Sequence, residues 1–357
     1  MNGRWLVVLL TAAALLVAPV AVRARPTAAS GVGAPELLAQ VRASAGVPWS
    51  GSVHSAGTLA VPDEQSFANL APLLGEDNDL RVWWRGADDW RVDRIRSTGE
   101  TDLYRQGAAT IRWVFESGTA TISPVSTVRL PDASDLLPPA LGRSLLQGAR
   151  DAELSRLPTR RLVGVDAPGL RLTPADADST VGRVDVWVDP ATGLPLAVEL
   201  TGRGEERPVL TTTLVDLDRR TPPTSDTVFQ PSQDSRISYQ DSVDVAAAAN
   251  AASDADLPAT LDGRGTRTGA DPGAVGVYGR GPTSVIVLPL RGRVAGPLRS
   301  RLQDGGAQET AAGTLAVVGP VGLLVTRDEG RGSFLLTGTL SGPALQRAAA
   351  QLLAGQP

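Results

Sequence analysis

The sequence predicts an α+β protein, in which a long antiparallel sheet of about eleven strands carries a helical insertion and is followed by a small second α+β domain. Three observations predict it. From Leu80 to Ile122 the chain reads LRVWWRGADDWRVDRIRSTGETDLYRQGAATIRWVFESGTATI, short apolar-aromatic runs separated by Arg-Gly, Ser-Thr-Gly, Gln-Gly and Ser-Gly breaks. Runs of about five residues rich in Val, Ile and Trp, broken roughly every eight to twelve residues by turn formers, are the pattern of consecutive hairpins. The pattern returns between Thr159 and Leu217 as RRLVGV, GLRLTP, GRVDVWVD, LPLAVELTG and VLTTTLVDL. Beyond it, Ser232 to Asp256 is rich in Ser, Asp and Ala and reads as a linker.

The elements follow in order. Arg4 precedes an apolar run from Leu6 to Val22, with Val22-Arg23-Ala24 a cleavage site before Arg25; residues 1–24 read as an export signal peptide. The run is just under the roughly 20 residues that span a bilayer, so an uncleaved N-terminal anchor is the alternative. Pro35 to Ala45 has Leu37, Leu38 and Val41 at helical spacing, and Trp49 to Val61 alternates like a strand. Asp63 to Gly75 fits a helix or a loop. After the meander, Asp132 to Leu154 is Leu-, Ala- and Pro-rich and reads as helical, interrupted at Pro138 and Pro139. After the five returning strands, residues 33–231 make one sheet domain, 232–256 the linker and 257–357 the second domain. In that domain two runs in Ala274–Leu290 precede a short helix at Val294–Gln303. Strands at Thr314–Thr326 and Ser333–Leu340 flank an Arg-Asp-Glu-Gly turn, and Gly342–Ala354 is helical.

Composition limits the chemistry. The 357 residues include one histidine, no cysteine and no lysine, with a formal net charge of -4. That excludes disulfides, diacylglycerol modification of a cysteine, zinc sites built from several His or Cys ligands, a Walker loop, a Schiff base and a Ser-Lys dyad. The acidic balance argues against nucleic acid as a partner. His54 falls in a strand and reads as a surface imidazole. Asp176-Ala-Asp178-Ser-Thr180 departs from a calcium loop, because Gly182 is one position late and no glutamate follows where it is needed; it reads as a solvated hairpin. Asp185 and Asp189 flank Trp187 on a face read as solvent or rim. No pair of carboxylates stands out for glycoside hydrolysis. The expectation is a protein that is not an enzyme and uses no cofactor or metal.

What remains is apolar surface on a long sheet. Transfer of a methylene from water is worth roughly 0.8 kcal/mol, so a sixteen-carbon acyl chain carries on the order of 10 kcal/mol before ordering costs. A curved sheet with an apolar face could therefore bind acyl chains without any catalytic motif. Alternation puts Leu80, Val82 and Trp84 on one face of a strand, Trp90 and Val92 on one face of the next, and Ile111, Trp113 and Phe115 on one face of another. These eight are the candidate groove residues. Alternation does not decide between a groove and a closed core.

The order of elements resembles the LolA-like half-barrel superfamily, which holds lipoprotein carriers and the RseB/MucB regulators of envelope-stress sigma factors. Actinobacterial members carry a pattern similar to RVWYDGPDRxRV, GExDxxRNG and WxW. Here the matching residues are RVWWRGADDWRV, GETDLYRQG and TIRWVF, followed by GRVDVWVDPATGLPLAVEL, over roughly residues 35 to 230. Trp84 replaces a common tyrosine and Ala87 a proline. VYGRGPTSVIVLPL and FLLTGTLSGPALQRAAAQL are similar to the C-terminal module of the RseB type. The resemblance implies a half-barrel with a helical lid that holds a lipid or acylated ligand, in the periplasm or on the extracytoplasmic face of the membrane. It also implies docking on a single-pass anti-sigma factor. The alternative within the superfamily is a carrier of lipoproteins or lipids.

Overall fold

The computed structural model describes residues 27, 30–59, 70–125, 129–239, 257–267, 275–327 and 332–355. The expected export segment and most of the expected linker lie outside the described residues.

Strand β1 (Trp49–Gly57) sits in the middle of the large sheet. On one side follow β2 (Asp77–Gly86), β3 (Asp89–Arg96), β4 (Gly99–Gln106), β5 (Ala109–Val114) and β6 (Thr119–Pro124), each antiparallel to the last. This is the meander read from the sequence. On the other side β1 pairs with β11 (Leu210–Asp218), and the ladder continues through β10 (Pro195–Gly202), β9 (Val181–Val188), β8 (Val165–Leu172) and β7 (Leu154–Leu162). A further strand, β12 (Arg236–Tyr239), runs parallel to β6 at the far edge. The sheet is open, with β12 and β7 at its two ends.

Helix α1 (Ala34–Ala43) opens on Pro35, whose missing amide costs nothing in the first turn, and it buries Ala34, Leu37, Leu38 and Val41. Helix α2 (Leu70–Gly75) packs beside β1 and β2, and α3 (Pro138–Leu145) lies on β10. A Cβ on Gly142 of α3 would stand 3.1 Å from Pro195, so the small residue is what lets the helix come this close. Gly193, at φ +74° in the β9–β10 turn, is held against the Gln40 carbonyl of α1; a side chain there would meet both the strain and the backbone. Together α1, α3 and the Ala133–Leu136 turn share one apolar cluster with the sheet, and Val82 and Val92 through Val53 and Leu214 to Val198, Val186 and Leu170 make up the face that these elements cover. The opposite face is the outer one.

The helical stretch is interrupted at Pro138 and Pro139 as expected: a helical turn ends at Leu136, Leu137 takes the extended backbone that suits a residue before proline, and α3 begins at Pro138. Three local readings are corrected. RRLVGV is not one strand, because Val163 and Gly164 both take positive φ (44° and 79°) and turn β7 into β8. Likewise Thr314–Thr326 is a hairpin folded at Gly319-Pro320. Strand β12 falls in the expected linker. Its four residues are all exposed, so it is held by backbone pairing along β6 and leaves no burial pattern in the sequence.

The second domain is a six-stranded sheet in the order β15 (Gly276–Tyr278), β16 (Val285–Leu290), β20 (Ser333–Gly338), β19 (Val321–Thr326), β18 (Gly313–Val318) and β17 (Gln308–Glu309). A short hairpin of β13 (Thr260–Leu261) and β14 (Arg264–Gly265) stands beside it. Helix α4 (Thr224–Thr227) belongs to the first domain, whereas α5 (Gly292–Asp304) and α6 (Gly342–Ala354) pack on the second sheet. Ser341 caps α6, which buries Ala344, Leu345, Ala348, Ala349 and Leu352 against Tyr278, Phe334 and Leu336.

Because Leu37 is fully buried between α1 and the sheet, Leu37→Ala should destabilise the first domain by about 2–5 kcal/mol. Urea unfolding followed by tryptophan fluorescence checks this; a cost under about 0.5 kcal/mol would mean that α1 is not part of the core.

Candidate functional site

Cross-strand register decides which face each candidate occupies, since directly opposed residues share a face. Val82 opposes Val92, Val92 opposes Leu103, and Leu103 opposes Arg112. Leu80, Val82, Trp84, Trp90 and Val92 therefore lie together on the helix-covered face. All but the half-buried Trp84 are buried, and Trp84 stacks on Trp90 with ring centroids 5.6 Å apart. Ile111 opposes Tyr104 and Trp113 opposes Asp102, which puts both on the outer face. There they meet Phe229, which reaches back from the segment after α4 with ring centroids 5.3 Å from Tyr104 and 5.7 Å from Trp113. Phe115 stands in the β5–β6 turn and is exposed. The eight candidates thus divide into an inner group of five and an outer group of three.

The inner face is not apolar throughout. Beyond Val92 the next inward positions are Arg94 and, two strands over, Arg112. They flank Thr101 and Leu103 in a pocket of about 200 Å³ that is also lined by Leu70 and Leu73 of α2 and by Leu130, Pro131, Asp132 and Ala133. Burial lowers the Arg94 guanidinium to about 10, with help from the positive charges of Arg96 and Arg112 and against the pull of Glu76. Its Nε and Nη2 are sealed from solvent with no hydrogen-bond partner among the described residues. Arg112 is lowered too, by burial, with Asp132 pulling the other way. The signal was present in DWRVDRIR as an arginine on the same face as Trp90 and Val92.

On the outer face, Asp93, Glu100 and Asp102 bring one oxygen each within 4.8 Å of one another. Arg91 already fills the place of a cation, donating to Asp93 at 2.6 Å and Asp102 at 3.1 Å while its guanidinium lies 5.0 Å from the Trp83 ring and 5.1 Å from the Tyr104 ring. Burial and the neighbouring Asp93 charge push Asp102 up to about 7. His54 lies on the outer face of β1 with Nδ1 2.9 Å from Asp79. Asp185 and Asp189, read as solvent-facing, are buried: Asp185 is paired with Arg171 at 2.6 Å and Asp189 with Arg219 at 2.8 Å. Arg160 covers the Trp187 ring between them at 3.6 Å. Aliphatic stems and ion pairs, not water, cover that face.

The Asp176–Thr180 loop between β8 and β9 is likewise no solvated hairpin. It carries the contact with the second domain. Arg264 donates to Asp176 at 2.8 Å, Arg347 to Asp178 at 2.5 Å, and both arginines also hold Asp262. Ser179 bridges to Leu340, the Thr180 amide donates to the Thr339 carbonyl at 3.1 Å, and the Ser341 amide donates to the Asp178 carbonyl at 2.8 Å. Nearby, Arg280 reaches from the second domain to Glu153 at 2.8 Å and to the Gly148 carbonyl at 2.9 Å. The Arg280 hydrogen bond, with the amides of Ala175 and Arg150, holds the Glu153 carboxyl down at about 2.

No family model matches the chain, and no curated protein matches it. Among solved structures it is similar to a chain of the MucA/MucB complex of Pseudomonas aeruginosa, with 16% identity and a TM-score of 0.47 over 88% of this chain and 96% of that one. A structure of MucB in complex with MucA(peri) is similar at 17% identity and a TM-score of 0.47, again over 88% of this chain and 96% of that one. A LolA superfamily protein from Nitrosomonas europaea is similar at 17% identity and a TM-score of 0.26, over 56% of this chain and 99% of that one. These likenesses concern arrangement of the chain. No helix among the described residues is long and apolar enough to cross a membrane.

The interdomain pairing carries a pH signature. A carboxyl held below its unfolded value contributes stability that is complete above about pH 4.5 and is lost as the pH falls toward 2. Thermal unfolding across that range should show the domain contact weakening with acid. Arg280→Ala should cost about 1.5–3 kcal/mol near neutrality by removing a charge-assisted hydrogen bond from a carboxylate that keeps its two amide donors, and should reduce the acid dependence; an unchanged acid dependence would show that Arg280 does not set it.

Proposed function

We propose that this chain is an extracytoplasmic binding protein without catalytic activity, which holds the apolar part of a lipid or acylated ligand against the helix-covered face of its large sheet and relays occupancy to a membrane-anchored anti-sigma factor. The observation that carries the reading is the covering of that face. An apolar surface that runs across the open sheet from β2 to β8 is closed by two short helices and a turn, joined to it mainly through side-chain packing. Opening such a cover costs apolar contact that an acyl chain can replace in kind. The inner group, Leu80, Val82, Trp84, Trp90 and Val92, is the proposed ligand surface; Ile111, Trp113 and Phe115 are not part of it.

The export signal read at residues 1–24 and the motifs RVWWRGADDWRV, GETDLYRQG and TIRWVF support the same reading, and the RseB-type pattern in the second domain supports the regulatory partner. The ion-paired loop gives the first domain a direct mechanical connection to that module. A ligand that displaces α1 or α3 acts on the same core that carries β8 and β9, which flank the loop.

Crosslinking the tagged full-length protein in its native envelope, followed by affinity capture and mass spectrometry, tests this. The expected catch is a single-pass anti-sigma factor together with bound lipid, with the protein partner lost and the lipid retained when residues 257–357 are deleted. Acylated lipoproteins in place of the anti-sigma factor would make the protein a carrier, and a catch with neither lipid nor acylated protein would end the reading.

A further inference from the structure

The Arg94 pocket extends the binding reading and rests on it. Packing alone gives no reason to place a guanidinium on the apolar face of β3. Leucine or methionine would fill the position without desolvating a charge, and enclosing two donors of a partly buried guanidinium without acceptors carries a cost. Arg91, on the outer face of the same strand, shows the contrast: it faces two carboxylates and two aromatic rings. Arg94 has Nε and Nη2 enclosed and unmatched among the described residues.

The surroundings define what would match them. Arg112 adds a second positive charge to the same pocket, and Thr101 between them adds a hydroxyl. Two carboxylates offset part of this charge without hydrogen-bonding the enclosed Arg94 donors: Asp132 lines the pocket and pulls on Arg112 while accepting from the Ser134 amide at 2.8 Å and lying 3.1 Å from Arg129, and Glu76 pulls on Arg94 while pairing with Arg96 at 2.9 Å. About 200 Å³ is too small for a whole lipid, since pockets for drug-sized ligands run from roughly 300 to 1,000 Å³. It suits a headgroup. Leu73, Leu103 and Ala133 line the same pocket and belong to the large apolar cluster or its covering elements, so an apolar tail leaving the pocket passes directly onto the inner face.

We propose that this pocket is an oxyanion site, in which the Arg94 guanidinium, with the positive charge of Arg112 beside it, takes the phosphate or carboxylate of an amphiphile whose tail lies along the inner face toward Val92 and Val82. The planar donors of Arg94 fit two oxygens of such a group at once. The site therefore selects acidic amphiphiles over neutral ones of the same tail length, and the selection belongs to the headgroup pocket, whereas affinity for the tail belongs to the apolar face.

Calorimetric titration of the mature full-length protein with dodecyl phosphate, dodecanol and inorganic phosphate, repeated on Arg94→Gln, tests this. Dodecyl phosphate should bind roughly ten- to a hundredfold more tightly than dodecanol, the size expected of one or two charge-assisted hydrogen bonds. Arg94→Gln should erase that preference while leaving dodecanol binding unchanged, and Arg94→Lys should restore part of it. The free variant should melt no lower than the parent, because the change removes the enclosed, unmatched donors of a partly buried guanidinium, which separates lost binding from lost folding. Equal binding of the two amphiphiles, or a preference that survives Arg94→Gln, overturns the oxyanion site and leaves the apolar binding surface standing. Arg94-dependent binding of inorganic phosphate with no binding of either amphiphile supports the oxyanion pocket but overturns its assignment to an amphiphile, and with it the lipid reading.

Discussion

The pairing of β1 with both β2 and β11 is the constraint on which the rest of the structure depends. Those two neighbours lie far apart in the chain, and among the described residues β1 is the only strand that joins the meander to the returning strands. Its register places Trp49 and Val53 between the two halves, level with Trp84 and Leu80 on one side, with Leu214 opposite Val53 on the other. Since a slip of one residue would send all of these to the opposite face, that register makes a single apolar surface out of two hairpin arrays. The helices α1 and α3 have something continuous to cover only because of it.

Charge is handled in two ways in this lysine-free chain. Most buried carboxylates are paired with arginine: Asp93 and Asp102 with Arg91, Asp185 with Arg171, Asp189 with Arg219, and Glu153 with Arg280. The domain contact uses the same chemistry at Asp176 and Asp178, where arginines of the second domain meet a loop that also exchanges backbone hydrogen bonds with it. A planar guanidinium serves two acceptors at fixed angles, so such a contact sets orientation as well as attraction. Arg94 stands apart because two of its donors are enclosed with no hydrogen-bond partner among the described residues.

The sheet was legible in the sequence wherever burial and strand period coincide. DWRVDRIR and GRVDVWVD alternate, and their strands fall where the turn residues put them; α1 was legible from Leu37, Leu38 and Val41. What alternation could not supply was the choice of face. In β5 the more apolar pair, Ile111 and Trp113, points outward, and Arg112 points in, because register with Leu103 outranks hydrophobicity within one strand. The cover that makes this tolerable is Phe229, more than a hundred residues away in the chain. The acidic loop at Asp176 was illegible for a similar reason: its partners Arg264 and Arg347 lie in the other domain, and composition alone makes it look solvated. Strand β12, exposed on both faces, leaves only a backbone trace.

The central claim is that a ligand enters on the inner face of the sheet. Quenching of single-tryptophan variants by a bromine-labelled acyl phosphate tests it most directly. The account predicts strong quenching of a chain that keeps only Trp90, on the inner face, and little quenching of one that keeps only Trp113, which lies outside under Phe229. Equal quenching of both, or quenching of Trp113 alone, would contradict it.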